Sequence, residues 1–122
     1  MRRKFRITRS IDFKRVRRSG RSFTHPLIVL VSASGEGDYS RAGFITARSI
    51  GNAVFRNRIK RQLKAILSNL VPIFKNHTDV IIIAREPIRN ATFSEIKSAV
   101  GQLLSKANLI NPDEFDTGRR SN

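Results

Sequence analysis

The side chains able to do chemistry in this chain are few and scattered. The carboxylates Asp12, Asp79, Glu86 and Glu95 fall in separate segments, and no two stand close enough in sequence to pre-pair as general acid and base. Asp113, Glu114 and Asp116 do cluster, but in a stretch without periodicity that cannot hold a catalytic geometry. His25 precedes Pro26, and His77 sits in Lys75-Asn76-His77-Thr78; neither has a second ligand or a nucleophile at workable spacing. The chain has no cysteine, which removes thiol nucleophiles, Cys-type zinc sites and disulfides together. Gly35-x-Gly37 leads into a strand and not a helix, so it is no phosphate-cradling loop. No catalytic constellation and no protein metal site emerges.

What the chain has in quantity is cations. There are 24 Lys and Arg against 9 Asp and Glu over 122 residues, a formal net charge of +15. The excess is concentrated. Residues 1–21 carry ten basic side chains and one acid, Asp12; residues 48–64 carry Arg48, Arg56, Arg58, Lys60, Arg61 and Lys64 and no acid. Such a surface attracts polyanions, and nucleic acid is the commonest in a cytoplasm. An anionic membrane would ask for a basic amphipathic helix with exposed aromatics. The longest apolar runs, residues 27–31 and 80–84, are far short of a membrane span, and no apolar stretch follows the basic start MRRKFRITRS as in a signal peptide. A hydrophobic fraction of 39% supports one real core. The expectation is a single soluble, cytoplasmic domain over residues 1–110, with 111–122 as a mobile tail.

The elements follow from period and punctuation. Ser10 before Ile11, Phe13 and Val16, with Gly20 after, predicts a short helix over 10–18 whose other faces are rich in arginine. Residues 27–34 are β-branched and end in a Gly-Glu-Gly-Asp turn; residues 41–48 read as their antiparallel hairpin partner. Ile59, Leu63, Ile66, Leu67 and Leu70 fall on one helical stripe over 53–70, with Asn52 as N-cap and Val71-Pro72 as the stop. Residues 79–84 read as a strand buried on both faces. Thr92 to Glu95 is a capping box opening a second amphipathic helix that runs to about 108. The order is helix, strand, strand, helix, strand, helix, with a βαβ unit at its centre: a mixed α/β sandwich.

The most informative segment is Ile50 to Arg61. It sets Arg56, Asn57, Arg58, Lys60 and Arg61 on the first turns of a capped helix, beside the core stripe, where they form a nearly continuous basic and amide arc with Lys64. Guanidinium forks bind two phosphate oxygens at once, and an amide can bridge a phosphate or a 2′-hydroxyl. Cations near a helix N-terminus oppose its dipole, so folding alone gives little reason for them. A solvated helix face is the plainer alternative, and the Arg58→Ala variant separates the two through the salt dependence of RNA binding.

With Gly51-Asn52-Ala53-Val54, then Arg56-Asn57-Arg58, one residue, and Lys60-Arg61, the sequence closely resembles the protein subunit of bacterial ribonuclease P. The resemblance covers roughly residues 1–110 and includes Asp12-Phe13 in a basic helix, Gly20 after it, and Ile81-Ile82-Ile83-Ala84-Arg85. It implies an α+β two-layer sandwich whose mixed sheet has a left-handed βαβ crossover, contrary to the usual hand. It implies an accessory subunit of the endoribonuclease: the catalytic RNA, using Mg²⁺, removes the 5′ leader of precursor tRNA. By the same resemblance the protein would supply no catalytic residue, and would bind RNA through Arg48, Arg56, Asn57, Arg58, Lys60, Arg61 and Lys64, and the leader in a cleft containing Phe13, Arg17 and Val31. The implied partners are the catalytic RNA and precursor tRNA, with neither membrane nor DNA.

The departures from the family pattern bear on the leader cleft. Arg17 stands where many relatives have a second aromatic, and Val31 where some have a tyrosine, so charge is expected to count for more than stacking. Ala47-Arg48-Ser49 replaces a common Ser-Lys-Lys, and Lys64-Ala65 a common Arg-Glu. A general RNA-binding or ribosomal protein would fit the charge and the elements equally well, and only the 51–61 motif separates it. A stand-alone nuclease lacks its side chains, and a helix-turn-helix protein would not have strands before its basic helix.

Overall fold

The computed structural model describes residues 1–113; the carboxylates at 114 and 116 and most of the expected tail lie outside the described residues. Among the described residues, α-helices α1 (Ser10–Ser19), α2 (Ala53–Ser68) and α3 (Phe93–Lys106) accompany strands β1 (Arg21–Thr24), β2 (Ile28–Ser34), β3 (Arg41–Ile45) and β4 (Thr78–Ala84). The sheet order is β1-β2-β4-β3. The β1–β2 and β2–β4 pairs are antiparallel, and β3 runs parallel to β4. The central βαβ unit, β3-α2-β4, is therefore present between neighbouring strands. Among the described residues no helix is long and apolar enough to cross a membrane.

One pairing differs from the expectation. Strands 27–34 and 41–48 are not a hairpin: β4 lies between them and pairs with β2 over seven positions, Ile28 with Ala84 through Ser34 with Thr78. The reason is burial. β4 is the strand apolar on both faces, and a central place gives it a neighbour on each side. The loop after β2 instead crosses the start of β4. Gly35 donates to the His77 carbonyl at 2.9 Å, and the buried Ser40 hydroxyl donates to the Asn76 carbonyl while accepting from the Thr78 amide at 2.9 Å. The actual hairpin is β1–β2, closed by His25, whose Nδ1 accepts the Leu27 amide. β1 was absent from the expected order because it is short and exposed, with only Phe23 half-buried.

Alternation along the strands divides the core in two. Ile28, Leu30, Ala42, Val80, Ile82 and Ala84 point to the face covered by α2 and α3. The α2 stripe of Ile59, Leu63, Ile66 and Leu67 is buried there as its spacing predicts. On the other face Val31 and Ile81 meet Ile7 and Val16, so α1 lies against the sheet alone. Its C-terminal approach requires Gly20: a Cβ there would stand 2.5 Å from the Val16 carbonyl oxygen and 2.8 Å from that of Ser32.

Both α3 ends are capped. At its C-terminus Asn108 takes a left-handed conformation, Leu109 donates to the Leu104 carbonyl and Asn108 to that of Ser105, which turns Leu109 and Ile110 back into the core. At its N-terminus the Thr92 amide donates to Glu95 Oε1 at 2.8 Å, and the Glu95 amide to Thr92 Oγ1 at 3.1 Å. The hydrogen bonds from Thr92 hold the Glu95 carboxyl below its ordinary value. A depressed folded-state value contributes stability that is complete above the unfolded carboxylate range and is lost as pH falls through the folded one. Glu95→Gln is therefore expected to lower the melting temperature near neutral pH and to leave it unchanged in strong acid. An equal drop at both would assign the effect to something other than the charged cap.

Candidate nucleic-acid interface

The basic helix begins from a turn that only glycine fits well. Residues 48–50 form one 3-10 turn, and Gly51, with φ +156°, donates to the Arg48 carbonyl at 3.2 Å. Asn52 then caps α2, its Oδ1 accepting the Phe55 amide at 2.9 Å. A side chain at 51 would be strained in backbone and would meet the Phe55 ring at 3.0 Å. Gly51→Ala is expected to cost about 1–3 kcal/mol, read as a lower urea midpoint at unchanged slope. An unshifted midpoint would show that the turn relaxes freely.

Because the apolar stripe is anchored, the arc beside it faces outward. Asn57, Arg58 and Arg61 are exposed, Arg56, Lys60 and Lys64 half-buried, and Arg48 exposed on the turn before the helix. Arg58 lies 5.9 Å from the centre of the Phe55 ring. Arg56 Nε is buried with no hydrogen-bond partner. Every ion pair among the described residues uses Arg15 or Arg41, so no described carboxylate neutralises any of these six cations. An array of cations without carboxylate partners among the described residues, on a capped helix, is chemically able to take phosphates.

A second surface lies on the sheet face under α1. Register places Thr24, Val29, Ile83 and Ile45 in one row across all four strands, and Ser22, Val31, Ile81 and Gly43 in the next. α1 covers the second row and leaves Val29, Ile83 and Ile45 half-buried. Phe13 is half-buried at this margin, its ring against Gly43, where a Cβ would come within 2.7 Å of it. Arg17 is exposed on α1. Val31 is only 5% exposed, packed beneath Val16 and Gly20, so its side chain supports α1 and offers little surface to a ligand. The structure thus brings Phe13 to an apolar floor with Arg17 on the helix above it. The α2 array belongs to the helix layer on the opposite face.

Sequence reasoning did not find what holds α1 in place. Asp79 at the start of β4 is fully buried and receives Arg15 from α1 and Arg41 from β3; Arg41 donates from Nε to Oδ1 at 3.2 Å and from a terminal nitrogen to Oδ2 at 2.8 Å. Asp12 stands 3.4 Å from Arg41, and Glu36 3.3 Å from Arg15. The hydrogen bond to Asp79 raises the Arg41 guanidinium above its ordinary value. Among the described residues no three His, Asp or Glu side chains are grouped to hold a metal, and the buried carboxylates are occupied by guanidinium groups.

The family model described as Ribonuclease P matches residues 1–108. The chain belongs to the ribonuclease P protein family. It is 38% identical over 114 residues to the ribonuclease P protein component of Herpetosiphon aurantiacus, covering 93% of each chain. With that of Oceanobacillus iheyensis it shares 36% over 121 residues, 98% of this chain and 100% of the other. The solved RNase P protein of Staphylococcus aureus superposes with a TM-score of 0.81 at 30% identity, over 88% of this chain and 98% of that one. The Thermotoga maritima protein, at 24% identity and a TM-score of 0.75, shares the fold. Membership makes the chain a protein component of ribonuclease P, the ribonucleoprotein that processes tRNA 5′ ends, with RNA as its partner class.

Proposed function

We propose that the chain binds the catalytic RNA of ribonuclease P through the α2 array, and the single-stranded 5′ leader of precursor tRNA along the face that α1 half-covers. It thereby assists Mg²⁺-dependent removal of the leader. The observation that carries this is the set of unpaired cations on α2 from Arg56 to Lys64, with Arg48 before it. Phosphate contacts of this kind supply affinity and position without base readout, which suits a partner recognised by shape. The leader reading rests on Phe13 beside an apolar row, with Arg17 exposed on the same helix. Unpaired bases stack on aromatics at such places while cations track the backbone.

Chemistry is assigned to the RNA. The buried carboxylates Asp12 and Asp79 do not fit a divalent-ion site, since guanidinium groups already occupy them. We assign the Mg²⁺ ions to the RNA subunit, and take the cytoplasm as the cellular site of action. The deciding experiment is precursor-tRNA cleavage at low Mg²⁺ with protein alone, a bacterial ribonuclease P RNA alone, and both. Cleavage by the mixture only, giving an intact leader and a mature 5′ end, is the expected result. Cutting by the protein alone would show that it has its own active site, and binding without stimulation would make it a general RNA binder.

A further inference from the structure

Away from both surfaces, an aromatic pair stands at the outer edge of β3. Residues 5–7 run alongside that strand, with Arg6 bridged to Ala42 and the Ile7 amide donating to the Ala42 carbonyl at 2.9 Å. This brings Phe5 to Tyr39, in the loop before β3, as an edge-to-face pair with ring centres 5.8 Å apart. Lys4 Nζ lies 4.5 Å from the Tyr39 ring centre and 5.1 Å from that of Phe5. Phe5 is anchored against the core on the α2 side of the sheet, whereas Tyr39 is 47% exposed. A large aromatic held in place by a neighbour, yet open to solvent, is a ready stacking surface. Its setting is basic: Arg2, Arg3, Lys4, Arg6 and Arg9 precede any acid, and Arg6 Nε is buried without a partner. Of the two acids in the adjoining loop, Glu36 is paired with Arg15, leaving Asp38 beside Tyr39.

We propose that Tyr39 stacks an unpaired nucleotide of the catalytic RNA, with Lys4 taking the adjoining phosphate. This rests on the RNA-subunit reading above, because the platform lies on the α2 side and not on the face assigned to the leader. The test measures binding of a bacterial ribonuclease P RNA across a salt series, using full-length variants whose melting temperatures are checked. Tyr39→Ala is expected to weaken binding about ten-fold with the salt slope unchanged, since a stacked base releases no counterion. Tyr39→Phe should restore it. Lys4→Ala should lower the slope by about one phosphate's worth. Precursor tRNA alone should bind Tyr39→Ala as it binds the parent.

Tyr39 is the one tyrosine of a chain without tryptophan, so its emission reports this platform alone. A short oligouridylate should quench it at low salt, and an abasic strand of the same length should not. Parent-like RNA affinity in Tyr39→Ala together with unquenched emission would overturn the platform while leaving the subunit reading in place. An effect confined to precursor tRNA would overturn the assignment to catalytic RNA. No RNA binding by the parent protein would overturn both readings.

Discussion

Asp79→Ala is expected to cost about 3–5 kcal/mol of folding stability, the penalty for leaving buried charge without its partner. Asp79 has no exposed surface, while Arg15 and Arg41 retain 23% and 24% exposure, and both guanidinium groups converge on its carboxylate. Removing the acid leaves two largely desolvated cations side by side under α1. Asp12 can answer only in part, since its oxygen stands 3.4 Å from Arg41 and 3.8 Å from Arg15. It should pull the loss toward the lower end of that range. A domain has about 5–15 kcal/mol in all, so the urea midpoint should fall steeply. Arg15→Met should cost less, because Asp79 keeps both bonds from Arg41. A parent-like midpoint for Asp79→Ala would show that the carboxylate is not the anchor.

The same variant links stability to binding. α1 meets the sheet without a second helix beside it, through Val16, Phe13 and this charge cluster. Loosening the cluster should raise amide exchange first in residues 10–19, where little apolar packing remains to retain the helix. Phe13 would then lose its seat on Gly43. Leader affinity should drop more than affinity for the catalytic RNA, since α2 packs against the opposite face.

Local signals in the sequence carried the helices well and the sheet less well. The α2 stripe, its Asn52 cap and the Thr92–Glu95 capping box each involve residues within one or two turns, and all appear as read. Strand partners are non-local. Residues 28–34 and 41–45 both read as strands on either side of a Gly-rich turn, and nothing between them says that β4 will take the place between. The Gly-rich turn looked like a hairpin tip because its other role, crossing the start of β4 with Ser40 bonded to Thr78, depends on residues almost forty positions away. Separation in sequence likewise hid the Arg15–Asp79–Arg41 cluster, since Asp79 lies 64 positions from Arg15 and 38 from Arg41. Yet an acid opening a run as apolar as Asp79 to Ala84 is a clue in itself, because a strand buried on both faces cannot begin on a lone carboxylate. The basic arc on α2 was legible because charge periodicity along one helix is local. Val31 could not be judged that way: its burial depends on the close approach of α1 at Gly20.

Replacing Arg56, Arg58 and Arg61 together by Ala is expected to separate binding from folding. Each guanidinium that neutralises a phosphate releases a counterion, so the slope of log affinity against log salt should flatten by about 0.7–0.9 for each phosphate left unneutralised. Three such phosphates make a change of roughly two to three, and Arg58→Ala alone should give about one. At moderate salt the triple variant should bind ribonuclease P RNA about 10²–10³-fold more weakly, and high salt should narrow the gap. Stability should move the other way, if at all. None of the three has a carboxylate partner among the described residues, Arg56 Nε is an unsatisfied buried donor, and positive charge near a helix N-terminus opposes its dipole. The melting temperature of the free protein should therefore hold or rise slightly while RNA affinity collapses. Lysine in place of all three would keep the salt slope but lose the two-oxygen fork, giving an intermediate affinity. If the triple alanine variant melted well below the parent and kept its salt slope, the array would be a structural face of the helix, and the RNA-binding surface would have to lie elsewhere.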